Sequence, residues 1–256
     1  MISILLAQVP VSWDVDANLR TVAGVLAEAQ PSDVVVLPEG MLSGYDEDLT
    51  PLAAIDRAAL AKAVDEVGAL AVRHQAHVFC GSLFPAGDGW CNAGLYLSPA
   101  GDRQVYRKIN LAMNERGPLL AGDELPVLDA GGLAVGVQLC REIRFPEQWQ
   151  SLADRGAQLF AYLTNAANTR EPAGVWRSHL ISRAAENQRF LAAANIAHPD
   201  QHCPTMLVSP RGEVLAELPP GRPGVLRHRI DPSETSGWYL GQRRRDVIAA
   251  QYQGRP

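Results

Sequence analysis

The chain has 256 residues, of which 47% are hydrophobic and 20% charged, and its formal net charge is −5. This composition is typical of a folded globular protein and excludes a disordered, collagen-like or coiled-coil chain. The acidic balance provides no positive field for a phosphate backbone or an anionic membrane surface. We therefore expect neither nucleic acid nor membrane among the partners.

The N-terminal segment and the cysteines predict a cellular compartment. The first apolar run has no positively charged leader and stops at Gln8, which favours a buried strand over a secretion signal. No apolar run approaches the roughly 20 residues that a membrane helix needs. The spacing of the cysteines is not that of a disulfide framework, so we expect reduced thiols in a cytoplasmic protein. The four cysteines are Cys80, Cys91, Cys140 and Cys203.

Short apolar runs alternate with longer amphipathic segments along the chain, and this alternation predicts an α/β protein. No linker or low-complexity segment interrupts the series. We therefore predict a single domain over residues 1–256 that ends in a polar tail from about residue 232. The predicted strands cover 1–9, 34–37, 78–83, 133–139, 159–163 and 190–197, and the predicted helices cover 16–30, 56–75, 146–155 and 174–189.

A β-hairpin pattern occurs in each half of the chain. The segments 95–102 and 206–213 share an apolar strand, the residues Ser-Pro-x-Gly, an acidic residue and the start of a return strand. The glycine supplies the positive φ angle that such a turn requires. The repetition suggests two halves of similar construction, related by a pseudo-twofold axis.

The common nucleotide-binding, serine-hydrolase and zinc-protease motifs are absent from the sequence. A cluster of His198, His202 and Cys203 resembles a metal site, but no fourth ligand with suitable spacing accompanies it. Loop polarity explains these residues well enough. We therefore expect no metal and no organic cofactor.

Three reactive side chains follow predicted strands directly. Cys140 follows the strand over 133–139 and precedes a predicted helix. This position favours a nucleophile, although packed core cysteines are also common after apolar runs. Glu39 follows the strand over 34–37 and could be a turn carboxylate. Lys108 follows the return strand of the first hairpin and could be a surface charge. No histidine has a context that singles it out as a partner of a cysteine.

Together these three residue types meet the needs of a cysteine hydrolase. Such an enzyme needs a base for the thiol proton, a positive group for the developing oxyanion and a base for the hydrolytic water. A carboxylate, an ammonium group and a thiol supply all of these functions.

Three segments in this order resemble the Glu, Lys and Cys motifs of the nitrilase superfamily, the carbon–nitrogen hydrolases. They are the residues 37–40 (LPEG), 106–111 (YRKINL) and 139–147 (LCREIRFPE). The segments 183–187 and 193–195 also resemble the long helix and the following strand of the family. The resemblance covers nearly the whole chain.

The resemblance implies a four-layer α-β-β-α sandwich that forms homodimers or larger homo-oligomers. It implies that Glu39 is the general base, Lys108 the lysine that stabilises the oxyanion and Cys140 the nucleophile. Glu115 matches a second glutamate that orients the substrate and the lysine, or it is a solvated loop carboxylate. We expect Tyr45, Arg141 and Asn165 to bind the substrate.

The expected reaction is hydrolysis of a small, non-peptide amide through a thioester, with release of ammonia or an amine. Departures from the common family pattern at Asn110, Arg141 and Ala166 lie near the family's pocket and leave the substrate open. The alternatives are a nitrilase or an N-carbamoyl amidohydrolase with the same three residues, or a catalytically silent binding protein of the same fold. Arg141, Glu142 and Arg144 favour a charged or polar acyl group, but ion pairing at a helix start explains them equally well.

Overall fold

Two β-sheets pack face to face, and helices cover their outer faces. The computed structural model describes residues 1–167, 171–172, 174–249 and 252–254. The helices are α1 (Val15–Ala27), α2 (Arg57–His74), α3 (Pro146–Asp154) and α4 (Val175–Asn187). The strands are β1 (Ile2–Gln8), β2 (Val34–Val36), β3 (His77–Ala86), β4 (Gly89–Leu97), β5 (Arg103–Arg107), β6 (Val127–Asp129), β7 (Ala134–Leu139), β8 (Leu159–Leu163), β9 (Phe190–Ala194), β10 (Met206–Val208), β11 (Val214–Glu217) and β12 (Gly224–Ile230).

Each sheet has six strands in the described part of the chain. The spatial order is β12-β1-β2-β3-β4-β5 in the first sheet and β11-β10-β9-β8-β7-β6 in the second. Strands β1 to β3 run parallel, as do β7 to β9, whereas β3 to β5 and β9 to β11 pair antiparallel. The second half of the chain therefore repeats the strand arrangement of the first, in agreement with the repeated hairpin pattern.

Alternate residues of β1 pack into two different hydrophobic layers, which shows how the layers are held together. Ile4 and Leu6 face the core between the two sheets, while Leu5 and Ala7 pack on the opposite side beneath α1 and α2. Neighbouring strand residues point to opposite faces, so a strand covered on both sides needs apolar residues throughout. Helices α3 and α4 close the outer face of the second sheet. The predicted α-β-β-α sandwich is confirmed.

The two repeated hairpin turns have the same hydrogen bonds. Gly101 N–H donates to Ser98 O at 3.1 Å, and Gly212 N–H donates to Ser209 O at 2.9 Å. Both glycines have positive φ angles, of 91° and 82°. These values lie in the left-handed region, in which a glycine is less strained than other residues.

The main differences from the predicted elements lie near the C-terminus. β12 was not predicted, because its polar residues alternate at the exposed edge of a sheet and leave no continuous apolar run. The segment after β12 is not wholly solvated, since Leu240 is buried and the Tyr252 hydroxyl donates to Asp123 O at 2.8 Å. Residues 250, 251, 255 and 256 of the predicted tail lie outside the described residues.

Two predicted helices end earlier than expected. α1 ends at Ala27, ahead of Pro31, and α4 ends at Asn187, where Gln188 adopts a left-handed conformation.

Within the described ranges, no helix is long and apolar enough to cross a membrane.

Candidate active site

The reactive side chains lie at the carboxyl ends of strands from both sheets. Glu39 follows β2, Lys108 follows β5 and Cys140 follows β7. Thr164 and Asn165 follow β8, which faces β2 across the sandwich core. The carboxyl ends of parallel strands are where clefts open in α/β proteins. The fold therefore assembles one candidate site from both halves of the chain.

A buried cluster of three charged side chains forms the centre of this site. Lys108 Nζ lies 2.9 Å from Glu39 Oε1 and 2.8 Å from Glu115 Oε1, and all three side chains are fully buried. Three of the residues predicted from the sequence are thus brought into direct contact. A buried ion pair is stable only where further hydrogen bonds satisfy its remaining atoms.

Neutral donors provide those further bonds to Glu115. The Tyr45 hydroxyl donates to Glu115 Oε1 at 2.9 Å, and Ala112 N–H donates to Glu115 Oε2 at 2.5 Å. Asn92 Nδ2 also donates to Glu115 Oε1, at 2.6 Å. Glu115 acts only as an acceptor in these contacts, as an ionised carboxylate must.

Glu39 is held by both sheets. Asn92 Nδ2 donates to its Oε1 atom at 2.7 Å, and the backbone N–H of Asn165 donates to its Oε2 atom at 3.1 Å. Its own backbone N–H donates to Thr164 O at 3.4 Å. The carboxylate that the sequence predicts to be the base thus has a fixed position between the two halves of the fold.

The two carboxylates of the cluster have opposite pKa shifts. Burial raises the pKa of Glu39 above its ordinary value of 4.5, against the opposing effect of Lys108. Burial also acts on Glu115, but Lys108 and the Ala112 N–H outweigh it and hold the pKa of Glu115 below 4.5. Burial disfavours the charged form of Lys108, yet Glu39 and other neighbours raise its pKa well above 10.5. Lys108 and Glu115 therefore stay ionised at neutral pH, and Glu39 is the member of the cluster suited to proton transfer.

Cys140 lies on a strained turn between β7 and the helical segment that follows. Its φ angle of 36° is in the left-handed region, which costs a non-glycine residue about 1–2 kcal/mol. The Tyr162 hydroxyl donates to Cys140 O at 2.6 Å and helps to hold this conformation. Residues Cys140–Arg144 form a 3-10 turn, and α3 begins at Pro146, as predicted from the sequence. Strained conformations of this kind are often found at functional sites.

The environment of Cys140 keeps its thiol protonated. Burial and the charge of Glu39 raise its pKa to about 12, while Lys108 acts in the opposite direction. Both charged groups therefore act on this thiol, in opposite directions. Because the thiolate is the reactive form, a thiol with this pKa needs a base at the moment of attack.

Glu142 connects the end of β5 with the turn that holds Cys140. This buried carboxylate accepts from Ile109 N–H at 2.9 Å and from Leu139 N–H at 2.8 Å. The Tyr106 hydroxyl donates to it at 2.7 Å, and Gln148 Nε2 donates at 3.2 Å. One side chain therefore holds the backbone next to both Lys108 and Cys140.

Gly81 on β3 makes room for the turn that holds Glu39. A Cβ atom at this position would lie 2.4 Å from Glu39 Cα and 2.4 Å from Pro38 O. Both of these atoms belong to the backbone and cannot move aside cheaply. The absence of a side chain at Gly81 is thus a condition for the observed position of Glu39.

The residues predicted to bind substrate have different surroundings. The Tyr45 ring lies beside the cluster, with its centroid 5.9 Å from Lys108 Nζ. Asn165 Nδ2 donates to Tyr45 O at 2.9 Å, which joins these two residues. Arg141 lies outside the buried cluster, with its side chain 42% exposed and its guanidinium 3.9 Å from Glu171.

The cluster of His198, His202 and Cys203 has local structural contacts. His198 Nδ1 accepts from Asp200 N–H at 3.1 Å, and Cys203 O accepts from Asn195 Nδ2 at 2.7 Å. Within the described ranges, no group of three or more His, Cys, Asp or Glu side chains is placed to hold a metal ion.

Sequence reasoning missed Asn92 and Glu142. Asn92 is a fully buried polar residue within an otherwise largely apolar strand, and such a residue usually has a specific polar partner. The sequence shows a polar residue within an apolar run but does not identify its partners. Glu142 was considered only for the polarity of the acyl group or for ion pairing at a helix start. The structure instead shows that Glu142 is buried and bonded to the backbone of both neighbouring segments.

Comparison with known proteins identifies the family. A model of the carbon-nitrogen hydrolase family matches residues 4–239. The chain belongs to the carbon–nitrogen hydrolase family. The superfamily predicted from the three motifs is thereby confirmed.

Relatives of this carbon–nitrogen hydrolase include several amidases. It is 31% identical over 219 residues to a 2-oxoglutaramate amidase of Bacillus subtilis, with 82% of each chain covered. It is 28% identical to an omega-amidase, YafV, of Yersinia enterocolitica, with 88% of each chain covered. The prediction of an amidase-type carbon–nitrogen hydrolase is confirmed.

Solved structures show the same fold. The amidase from Nesterenkonia sp. superposes with a TM-score of 0.82 at 25% identity, and the match covers 96% of this chain and 94% of that one. A cysteine-to-alanine mutant of the amidase from Nesterenkonia sp. AN1, in complex with butyramide, matches with a TM-score of 0.83 at 25% identity, covering 96% and 95%.

Proposed function

We propose that this carbon–nitrogen hydrolase cleaves the carbon–nitrogen bond of a small amide, with Cys140 as nucleophile, Glu39 as general base and Lys108 as the cation that stabilises the oxyanion. The observation that carries the proposal is the fully buried contact of Lys108 with both Glu39 and Glu115, whose charges act on the Cys140 thiol. Burial of charged groups is costly, so a buried charged cluster needs partners within the protein. Clusters with shifted pKa values are common at catalytic sites, where they take part in acid–base chemistry.

In the first half of the reaction, Glu39 takes the Cys140 proton as the sulfur attacks the carbonyl carbon. The carbonyl oxygen becomes an oxyanion, which Lys108 and the backbone N–H of Arg141 stabilise. When the tetrahedral intermediate collapses, the carbon–nitrogen bond breaks and Glu39 gives its proton to the leaving nitrogen. The products of this half are a thioester and ammonia or an amine.

In the second half, Glu39 takes a proton from water and the resulting hydroxide attacks the thioester carbon. The carbon–sulfur bond breaks, the carboxylic acid is released and the sulfur regains its proton from Glu39. Glu115 keeps Lys108 oriented through both halves and supplies a second negative charge that maintains the ammonium form. No metal or organic cofactor enters these steps.

The substrate class that we propose is an amide whose acyl group carries a distant carboxylate, that is, an ω-amide. Support comes from the 2-oxoglutaramate amidase and omega-amidase among the relatives. Arg141 follows the nucleophile directly and has a side chain that is partly exposed and only loosely paired. Its guanidinium can bind a carboxylate of the substrate. We propose that Tyr45 and Asn165, which are joined by the hydrogen bond from Asn165 Nδ2 to Tyr45 O, contact the acyl group.

A substrate panel tests this proposal. Ammonia release is measured for ω-amides, uncharged aliphatic amides, N-carbamoyl amines and nitriles. We expect the highest kcat/KM for ω-amides, and Arg141→Ala should raise the KM for them by about tenfold, which corresponds to about 1.4 kcal/mol. Arg177→Ala, which removes a partly exposed guanidinium from α4, is the matched control. If Arg141→Ala changes the KM for charged and uncharged amides equally, Arg141 does not bind the carboxylate of the substrate. A preference of the enzyme for nitriles would favour the nitrilase alternative.

We also propose a cytoplasmic homodimer. The unpaired state of all four cysteines supports the compartment, and the exposed apolar side chains near the C-terminus, among them Trp238 and Ile248, support an interface. Sedimentation velocity tests the assembly, for which we expect a species of about twice the chain mass. A monomer over a wide concentration range would contradict it.

A further inference from the structure

Asn92 lies directly opposite Lys108 in the first sheet. The pairing of Ala93 with Arg107 ends the β4–β5 ladder, and Lys108 N–H then donates to Asn92 O at 2.8 Å. Residues that face each other across an antiparallel pair project their side chains to the same side. Both side chains accordingly enter the buried cluster, and that of Asn92 is fully buried.

The carboxamide of Asn92 bridges the same two oxygen atoms as the lysine. Its Nδ2 atom lies 2.7 Å from Glu39 Oε1 and 2.6 Å from Glu115 Oε1. A carboxamide nitrogen has two hydrogens, so it can donate one to each carboxylate without adding charge. Lys108 and Asn92 are thus two donors that hold one pair of like-charged groups together.

The orientation of the carboxamide follows from the same contacts. With oxygen and nitrogen exchanged, the amide oxygen would face two carboxylate oxygens at these distances, and all three atoms would be acceptors. In the observed orientation, the buried Oδ1 atom has no hydrogen-bond partner among the described residues. Leaving a buried acceptor unsatisfied costs about 1–3 kcal/mol, so the contacts of Nδ2 must outweigh this cost.

We propose that Asn92 is a positioning residue for proton transfer, which divides its two N–H groups between Glu39 and Glu115 and so fixes the Glu39 carboxylate where it can take the Cys140 proton. This inference rests on the proposed function of Glu39 as the base. Without the bridge, the two carboxylates repel each other and share only the lysine. Glu39 then loses both its fixed position and a hydrogen bond that favours its ionised form.

The test compares Asn92→Ala and Asn92→Asp with the unchanged enzyme. We expect kcat/KM for the best amide to fall by about 100-fold in both variants, which is the size of effect seen when a reacting group is misplaced by about 1 Å. The acidic limb of the pH profile of kcat/KM should shift to higher pH in both. The shift should be larger in Asn92→Asp, because this variant places a third carboxylate beside Glu39.

Asn187→Ala is the matched control for lost stability. Asn187 is also a buried asparagine whose Oδ1 atom has no partner among the described residues, and its Nδ2 atom donates to Arg183 O within α4. This variant should lower the melting temperature without moving the pH profile. If the Asn92 variants lose activity only in proportion to their melting temperature, with an unmoved acidic limb, Asn92 has a structural role alone and the proposal fails.

A second readout separates this inference from the proposed function. The rate at which iodoacetamide alkylates Cys140 is measured against pH, with the modified residue identified by mass spectrometry. It should be slower in both Asn92 variants and show the same shift to higher pH. This readout needs no turnover. If the enzyme hydrolyses no amide, the proposed function is overturned, but the alkylation rates still test the role of Asn92. Unchanged alkylation profiles in both variants would overturn the inference.

Discussion

The backbone N–H of Asn165 donates to Glu39 Oε2 at 3.1 Å, which joins the end of β8 in one sheet to the end of β2 in the other. On its other oxygen atom, Glu39 accepts from Lys108 and Asn92. The carboxylate is therefore held on both sides by groups whose positions the two sheets determine. Such a fixed group loses little entropy when it reacts, which is a general source of catalytic rate.

Replacement of the nucleophile should abolish activity. In Cys140→Ala, ammonia release should fall below detection for every substrate of the unchanged enzyme, because no thioester can form. The circular dichroism spectrum should not change. Cys80→Ala is the control, since Cys80 is buried within β3 and burial raises its pKa far above the physiological range. Undiminished turnover by Cys140→Ala would contradict the mechanism.

The pH profile should have an acidic limb and no basic limb in the neutral range. Glu39 must be ionised to act as a base, so activity is lost as the pH falls through its pKa, which burial has raised above 4.5. Lys108 stays charged and Cys140, with a pKa of about 12, stays protonated as the pH rises. We therefore expect kcat/KM, measured from about pH 4 to about pH 9, to rise and then remain level. A decline that begins near pH 7 would show that another group controls the reaction.

A methyl group at Gly81 should impair the enzyme. In Gly81→Ala, the new Cβ atom would meet the backbone of Glu39 and Pro38, so the turn that holds Glu39 must move. We expect kcat/KM to fall by about tenfold or more and the free energy of unfolding to fall by about 1–3 kcal/mol.

Gly24→Ala is the control for this substitution. Gly24 lies within α1, and a Cβ atom there would have no neighbour within 4 Å. Alanine should stabilise the helix by about 0.5–1 kcal/mol and leave kcat/KM unchanged. Denaturant unfolding and steady-state kinetics measure both effects. Equal kinetics in the two variants would show that the turn tolerates the methyl group.

Loss of the Glu142 carboxylate should reduce stability more than an ordinary surface change. In Glu142→Gln, an amide group replaces an acceptor that faces only donors, so at least one buried N–H group loses its partner. We expect the free energy of unfolding to fall by about 2–4 kcal/mol, and Glu147→Gln, at an exposed position, to change it by less than about 0.5 kcal/mol. Urea denaturation distinguishes these outcomes. If both variants lower the free energy of unfolding by the same small amount, the hydrogen bonds of Glu142 do not stabilise the fold.

The apolar runs were sufficient to predict an α/β fold, and the resemblance of three motifs to a known family predicted the layered sandwich and the central charged residues. Buried parallel strands such as β2 need continuous apolar runs, and the residues after them are easily recognised. Asn92 could not be assigned in this way, because its partners Glu39 and Glu115 are distant in the chain and meet only through strand pairing. The edge strand β12 was missed for a related reason, since its half-exposed face has no continuous apolar pattern.

The repeated strand arrangement divides the chemistry between the two halves of the chain. Glu39 and Lys108 follow strands of the first repeat, and Cys140 follows a strand of the second. The end of β2 supplies a carboxylate, whereas the corresponding end of β8 supplies an amide N–H that holds it. The two repeats are thus complementary instead of equivalent, because neither alone contains Glu39, Lys108 and Cys140.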